Sequence, residues 1–265
     1  MTELGWCGRC RPLSVGVEWP TNPTDSTINP QGALEILSTV PAMHVLVLRH
    51  HEEDSPGLVG DAFESRGATV ETHLYPNEGP LPKLDSYDHL VILGSNASVY
   101  EAKDWIAAEL AWLQRATLPV LGICFGAQLL SAAFGGNVER APVYEIGWVR
   151  IEPAPRIAPH DPEIDPGPWF QFHGDRCVLP SSAHLLASND VGVQAFTIGR
   201  HLGVQFHPEL DTVQLERWFE SGSREAAIHA GKDPETLLEE TARQEPAARK
   251  RAQQLTDAYV AHSSL

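Results

Sequence analysis

The chain has 265 residues, of which 42% are hydrophobic, enough to bury the core of one large domain or two small ones. Its 35 acidic residues outnumber its 19 basic ones, and the resulting net charge of −16 repels a phosphate backbone, so we expect no nucleic-acid binding. No apolar run reaches the ~20 residues that span a bilayer and the first residues lack a signal-peptide pattern, so we expect no membrane association and a cytoplasmic location.

Residues 1–42 are predicted to form a flexible leader. They contain scattered Pro, Asn, Thr and Ser without sustained apolar periodicity. Cys7 and Cys10 have the CxxC spacing of a redox motif, but neither a strand before them nor a helix after them is predicted. As metal ligands they would supply only two of the four that a structural zinc site needs. We therefore expect no redox or metal chemistry there. Met43 begins the predicted fold and is a candidate natural start.

From residue 43 onward, buried strands are predicted to alternate with helices. Short apolar, β-branched segments predict buried strands at residues 43–48, 88–94 and 119–123, and residues 69–74 are predicted to form a further strand. Helical spacing and glycine stops predict helices at residues 58–66, 102–114 and 127–134. Strands and helices in alternation imply parallel strands joined by crossovers, which is an α/β architecture.

The pattern changes after Gly147. Short strands are predicted near residues 148–151, 193–197 and 203–206, which fits an antiparallel extension of the sheet, with a proline-rich loop at 153–168. Helices are predicted at 211–220 and 234–261, and the second is amphipathic and charged, which suits a surface tail. The predicted division is a leader at 1–42, a domain at 43–225 and a C-terminal helical tail at 226–265.

Two glycines flank a cysteine at a predicted turn from strand to helix. The segment runs Gly122-Ile123-Cys124-Phe125-Gly126. Glycines two positions either side of a nucleophile relieve crowding at a strained turn and let its side chain project beyond the strand's carboxyl end. The helix N-terminus also favours a thiolate. The pattern predicts a nucleophile at Cys124, although a core cysteine between two glycines has the same pattern.

A histidine and a glutamate follow a strand roughly eighty residues downstream. Segment 203–209 reads GVQFHPE and places His207 and Glu209 just beyond the strand. A nucleophilic thiol needs a base, and the base needs a partner that fixes its tautomer and stabilises its charged form. A histidine at a strand end is by itself more often structural. Together with Cys124, however, the pair predicts a Cys-His-Glu triad.

The segments GICFGAQ at 122–128 and VQFHPE at 204–209 resemble the paired signatures of class I (triad-type) glutamine amidotransferases. They resemble above all the stand-alone group similar to the glutaminase domain of GMP synthase. Residues 93–100 resemble that group's oxyanion strand, and residues 172–175 resemble its HGD segment. The likeness runs in the correct order from residue 43 to residue 215.

The resemblance implies further site residues. The oxyanion donors would be the N–H groups of Ser95 and Phe125, and one such donor is typically worth ~10²- to 10³-fold in rate. The family usually has Gly-Gly-Pro where this chain has Gly94-Ser95-Asn96, so Ser95 can donate unless that position needs a φ that only glycine reaches comfortably. Gln128 and His173 match substrate-pocket positions. Two alternatives stay open: that Gln128 is a solvated helix residue, and that His173 is a structural hydrogen-bonding residue.

The resemblance also implies a fold and an activity. The fold is a flavodoxin-like three-layer α/β sandwich with a mostly parallel central sheet, an antiparallel extension and the site at the carboxyl ends of the parallel strands. The activity is hydrolysis of the glutamine side-chain amide through a γ-glutamyl thioester, releasing ammonia and glutamate. Two alternatives stay open: a γ-glutamyl peptidase or hydrolase with the same triad, and a catalytically silent binding module. The partners would be glutamine or a γ-glutamyl compound and a separate synthetase chain that receives ammonia.

Other chemistry is not expected. The sequence has no phosphate-binding loop and no dinucleotide fingerprint, so we expect no cofactor. The remaining histidines, including His50 and His51, show no ligand spacing with acids or cysteines, so we expect no metal. We assign both histidines to a solvated loop.

Overall fold

A computed structural model describes residues 43–264, so the predictions for the leader, for Cys7 and for Cys10 lie outside the described residues. The strands are β1 (His44–Arg49), β2 (Thr69–Leu74), β3 (His89–Ile92), β4 (Val120–Ile123), β5 (Asn137–Val149), β6 (Glu152–Pro153), β7 (Trp169–Val178), β8 (His184–Ser188), β9 (Val193–Ile198) and β10 (His201–Val204). The helices are α1 (Gly57–Glu64), α2 (Asp104–Leu113), α3 (Phe125–Ala133), α4 (Thr212–Trp218), α5 (Arg224–His229) and α6 (Pro234–Ser263). A kinked segment at Phe219–Ser223, in which Gly222 has a φ of 114°, joins α4 to α5.

Eight strands form the central sheet in the order β2-β1-β3-β4-β10-β9-β8-β6. The first five are mutually parallel, and β9, β8 and β6 add antiparallel pairs. All residues of β3 and β4 are buried, as expected for strands covered on both faces. The predicted α/β sandwich with a mostly parallel sheet and an antiparallel extension is confirmed.

The two faces of the sheet have separate apolar layers. Alternate residues of β1 point to opposite faces, so Val45 and Val47 pack with α1 and α6, while Leu46 and Leu48 pack with α2 and α3. The amphipathic helix predicted at 234–261 is present as α6, and its apolar side is part of the core, where Tyr259 is fully buried. The predicted domain boundary at residue 225 stays a prediction.

The antiparallel region differs from the prediction in two respects. Residues Trp148 and Val149, assigned above to the sheet extension, belong instead to β5, which pairs with β7 in a separate two-stranded sheet. Strands β6, β7 and β8 and most of β5 were not predicted. The inward positions of β7 include Gln171, His173 and Asp175, all buried, and these polar residues break the apolar alternation by which a strand is recognised.

No helix in the described part of the chain is long and apolar enough to cross a membrane. Among residues 43–264, no cluster of three or more His, Cys, Asp or Glu side chains could hold a metal ion.

Candidate active site

Cys124 occupies a strained turn between β4 and α3. Its φ of 52° makes it the only non-glycine residue with positive φ in the described chain. Such a conformation costs on the order of 1–3 kcal/mol and persists only where the surroundings over-determine it. Here the Cys124 N–H donates to the Val204 carbonyl at 2.8 Å, and the Cys124 carbonyl accepts from the Gln128 N–H at 3.0 Å. These two bonds hold the turn between β10 and the first turn of α3.

The glycines beside Cys124 allow close backbone contacts. A Cβ at Gly122 would lie 2.5 Å from the Gly126 carbonyl oxygen, and a Cβ at Gly126 would lie 2.2 Å from the Ile92 carbonyl oxygen. Real Cβ atoms do not approach backbone atoms so closely. Helix α3 therefore sits tightly on β3 and β4 only because both positions lack a side chain, and this contact sets where Cys124 projects.

Gly126→Ala is expected to damage both stability and activity. Separating α3 from β3 should lower the free energy of unfolding by about 1–3 kcal/mol, as overpacking usually does. Because a displacement of about 1 Å at a nucleophile can cost ~10²-fold in rate, kcat should fall by a similar factor. Denaturant unfolding and single-turnover assays would measure the two effects.

Gly135→Ala is the control for Gly126→Ala. Its φ of +94° makes a side chain strained, but a Cβ there meets no atom within 4 Å, and the position lies at the far end of α3. This variant should lose stability and keep kcat. A Gly126→Ala protein with normal kcat would show that the tight contact does not position Cys124.

His207 and Glu209 form a buried pair just beyond β10. His207 Nδ1 lies 2.7 Å from Glu209 Oε1, and the His207 N–H donates to the Phe170 carbonyl at 2.8 Å. The other ring nitrogen, Nε2, is buried and has no hydrogen-bond partner among residues 43–264. His207 and Cys124 both line one cavity, so the imidazole and the thiol lie at the same site.

The surroundings favour a charged His207 ring. Burial is the largest influence and lowers the pKa of His207, but the charge of Glu209, the charge of Cys124 and hydrogen bonding outweigh it and raise the pKa well above the ordinary value. An imidazolium beside a thiolate is the state in which a cysteine attacks and a histidine can later donate a proton.

Helices α1 and α4 support this pair. The Glu209 carbonyl accepts from the Leu58 N–H at 2.9 Å, and a Cβ at Gly57 would lie 2.0 Å from that same oxygen. The Trp218 ring packs edge-on against the His207 ring at 5.0 Å and donates its Nε1–H to Asp54 at 2.9 Å. Trp218 therefore covers one side of the imidazole and shields it from solvent.

The predicted oxyanion donors lie at the same site. Phe125 is the first residue of α3, so its N–H has no acceptor within the helix. The Ser95 N–H has no acceptor among the described residues. Ser95 does not have positive φ, so the position does not require glycine. The preceding residue does need to be small, since a Cβ at Gly94 would lie 3.2 Å from the His207 ring.

Two cavities meet at Cys124, and both also include Ser95, Asn96, Phe172 and Ser223. The smaller has a volume of about 40 Å³ and is the one lined by His207, together with acidic residues and Trp218. The larger has a volume of about 410 Å³ and extends toward β5 and β7. Its wall contains Gln128, Arg140, Tyr144, His173 and Asp175.

The two predicted substrate residues lie in the wall of the larger cavity. Gln128 is buried rather than solvated, and its Nε2 donates to Gln205 Oε1 at 3.2 Å. Both ring nitrogens of His173 are engaged, with Glu145 at 3.0 Å and with the Asp175 carbonyl at 2.9 Å. His173 therefore has no free nitrogen for a ligand, and its contribution to the wall is the ring itself.

An aspartate in β7 holds the loop that carries Ser95 in place. The Asp175 carboxylate accepts hydrogen bonds from the Ser98 hydroxyl and from the Tyr100 hydroxyl, the second at 2.9 Å. These bonds connect the loop after β3 to the two-stranded sheet. They fix the loop that carries Ser95, which lines the larger cavity together with Cys124.

The sequence interpretation missed several of these residues. Trp218, Asp54 and Arg140 lie in no motif that distinguishes them from ordinary helix, loop or strand positions. His50 was assigned to a solvated loop, and this is wrong: His50 is buried and pairs with the fully buried Glu109. The only available signal was that Glu109 lies among apolar residues in α2, whose one other charged residue is Asp104 at its start.

Known proteins match both the sequence and the fold. The family model described as "Glutamine amidotransferase class-I" matches residues 59–217. One subunit of the glutamine-hydrolysing GMP synthase of Thermoplasma volcanium is 33% identical over 155 residues, which cover 56% of this chain and 75% of the relative. The glutamine-hydrolysing GMP synthase of Thermomicrobium roseum is 39% identical over 129 residues, 46% of this chain but only 23% of the relative. A solved glutamine amidotransferase from Thermotoga maritima superposes with a TM-score of 0.74 at 28% identity, covering 82% of this chain and 98% of that one.

Proposed function

Since the chain belongs to the class I glutamine amidotransferase family, we propose that it hydrolyses the side-chain amide of glutamine with Cys124 as nucleophile, His207 as base and Glu209 as the orienter of His207. The observation that carries the proposal is the buried His207–Glu209 pair at 2.7 Å, whose imidazole lines the cavity that contains Cys124 and has no partner for its Nε2 among residues 43–264. A cysteine, a base and an orienting carboxylate are together what such a hydrolysis requires.

The reaction proceeds through a thioester. The Cys124 thiolate attacks the amide carbon, and the N–H groups of Ser95 and Phe125 stabilise the oxyanion. The carbon–nitrogen bond breaks as the nitrogen takes the proton of the His207 imidazolium, and ammonia leaves. His207 then removes a proton from water, which attacks the thioester and releases glutamate and the Cys124 thiolate.

The larger cavity suits the amino-acid end of glutamine. A free amino acid carries both a carboxylate and an ammonium group, and the wall offers Arg140 for the first and the carboxylate of Asp175 for the second. Arg140 donates to the Tyr144 hydroxyl at 2.9 Å, which holds it at the edge of the cavity. A volume of about 410 Å³ falls within the usual range for small-molecule sites.

The smaller cavity suits the leaving group. The proton donor His207 lines this cavity and not the larger one, so the departing nitrogen has to lie on this side. Its volume of about 40 Å³ has room for only a few molecules of the size of water or ammonia. Ammonia, the leaving group of glutamine, fits this space, which supports glutamine as the substrate.

A separate synthetase chain is the proposed recipient of the ammonia. Relatives that match over about three quarters of their own length are named as one subunit of GMP synthase, and that name describes them as one part of a larger enzyme. Ammonia released next to Asp54 and Glu53 would leave through an acidic opening that favours ammonium.

Substrate profiling tests the proposed function. Purified enzyme is given glutamine, γ-glutamyl methylamide and a γ-glutamyl dipeptide, and glutamate release is measured for each. We expect kcat/KM to fall in that order because the leaving group grows. A preference for the dipeptide would instead identify a γ-glutamyl hydrolase. Turnover of no substrate, with no labelling of Cys124 by a glutamine-mimicking electrophile, would identify a silent binding module.

A further inference from the structure

A buried histidine and glutamate lie directly behind the peptide unit that holds Ser95. His50 follows β1 and Glu109 lies in α2, and their side chains are 2% and 0% exposed. His50 Nε2 lies 3.1 Å from Glu109 Oε2, and His50 Nδ1 lies 2.9 Å from the Gly94 carbonyl oxygen. Both ring nitrogens are therefore engaged inside the protein, and the ring has one orientation.

The hydrogen bond to the Gly94 carbonyl also orients the N–H of Ser95. The Gly94 carbonyl and the Ser95 N–H belong to one planar peptide unit, so a group that fixes the oxygen also fixes the direction of the N–H. A carbonyl oxygen only accepts hydrogen bonds, so His50 Nδ1 carries the proton. His50 thereby sets the direction in which the Ser95 N–H points.

The charges around His50 strengthen this bond. Burial is the largest influence and lowers the pKa of His50, but the charge of Glu109, the hydrogen bonds to Glu109 and Gly94 and the charge of Asp54 together raise the pKa above the ordinary value. A charged donor makes a shorter, stronger hydrogen bond and polarises the peptide unit that accepts it. A polarised Ser95 N–H is a better donor to an oxyanion.

The same ring contacts the residue that provides the second donor. The Phe125 ring meets His50 edge-on, with 5.0 Å between the ring centroids. Trp105 packs against both, at 5.5 Å from His50 and 5.7 Å from Phe125. One imidazole thus connects the two backbone segments between which the oxyanion would lie.

We propose that His50, held by Glu109, is a positioning residue that directs and polarises the Ser95 N–H toward the oxyanion formed on the substrate carbonyl. This inference rests on the proposed function. It assigns a role in catalysis to His50 and Glu109, two side chains that contact neither the substrate nor Cys124. Its effect reaches the reaction only through the Gly94–Ser95 peptide unit.

Replacing His50 with asparagine or with glutamine tests its hydrogen bonds to Gly94 and to Glu109 one at a time. The side-chain nitrogen of asparagine takes about the place of Nδ1, and that of glutamine takes about the place of Nε2. His50→Asn therefore keeps a donor for the Gly94 carbonyl, whereas His50→Gln keeps contact with Glu109 and loses the bond to Gly94. We expect His50→Gln to lower kcat for glutamine by about 10- to 100-fold, part of the effect of a whole oxyanion donor. KM should change little, and His50→Asn should keep most of the rate.

Alkylation of Cys124 by iodoacetamide supplies a readout that does not depend on the oxyanion. It is a substitution at a saturated carbon and requires only the thiolate. Its rate at Cys124, followed by peptide mass spectrometry, should be the same in His50→Gln and the unmodified protein. His184→Asn is the matched control, because His184 pairs with Asp161 at 3.1 Å near the β6 edge of the sheet and should not affect kcat.

The outcomes distinguish the inference from the proposed function. Equal kcat in His50→Asn and His50→Gln, whether both fall or both stay normal, would overturn the inference, as would a parallel loss of alkylation rate. Absence of glutamine turnover in the unmodified protein would instead refute the proposed function. If His50→Gln does not fold, Glu109→Gln takes its place. It leaves His50 in position but removes the charge that strengthens the bond to Gly94, so kcat should fall with KM unchanged, and an unchanged kcat would overturn the inference.

Discussion

Cys124→Ala is expected to abolish glutamine hydrolysis, with a loss of about 10⁴- to 10⁶-fold, as when other hydrolases lose their nucleophile. Cys124→Ser should be nearly as inactive, because a hydroxyl does not ionise to a nucleophile as a thiol does. Both variants should fold, since the turn is built by the backbone bonds to Val204 and Gln128 and by the glycines on either side. Glutamate release in steady state would measure activity, and circular dichroism and thermal unfolding would measure the fold.

Cys177 provides the matched control. It is the other buried cysteine of the described residues and lies in the apolar layer beneath α3. Burial, with a smaller effect from the charge of Cys124, raises the pKa of the Cys177 thiol, so this cysteine stays protonated and unreactive. Cys177→Ala should lose some stability and keep its turnover number. Normal activity in Cys124→Ala, or loss of activity only in Cys177→Ala, would contradict the assignment of the nucleophile.

Glu209→Gln is expected to lower kcat by about 10²- to 10⁴-fold, less than the loss of Cys124. The side chain of glutamine has nearly the shape of the glutamate that it replaces, so the variant mainly removes the negative charge of Glu209, whose Oε1 lies 2.7 Å from His207 Nδ1. That charge is among the influences that raise the pKa of His207 over the opposing effect of burial. Without it, less of the imidazolium is present to protonate the departing ammonia.

The pH profile of the Glu209→Gln enzyme gives a second readout. A raised pKa keeps His207 charged up to a higher pH, so activity in the unmodified enzyme should persist until the pH rises through that value. Removing the carboxylate lowers the pKa of His207, so the alkaline limb of the kcat profile should move to lower pH. Asp161→Asn, in the remote pair with His184, should leave the profile in place. An unchanged rate and profile in Glu209→Gln would mean that the carboxylate is structural.

The sequence alone predicted the features that depend on neighbouring residues. The buried strands β1, β3 and β4 follow from local apolar patterns, since a strand covered on both faces is a continuous apolar run. The positions of Cys124, His207 and Glu209 follow from short motifs at strand ends. In an open α/β sheet the carboxyl ends of neighbouring parallel strands share one edge, so β4 and β10 bring the motifs together.

Only the tertiary structure decided features that depend on contacts between distant segments. Strand β7 escaped prediction because its buried positions are polar, and their partners, such as Glu145 for His173, lie on another strand. His50 and Glu109 are 59 positions apart, and no sequence pattern pairs them, because only the crossover places α2 beside the end of β1. The volumes on either side of Cys124 are likewise set by how β5, β7 and α4 pack around the sheet. A buried polar side chain is stable only with its partner, and in this protein the chain's topology supplies that partner.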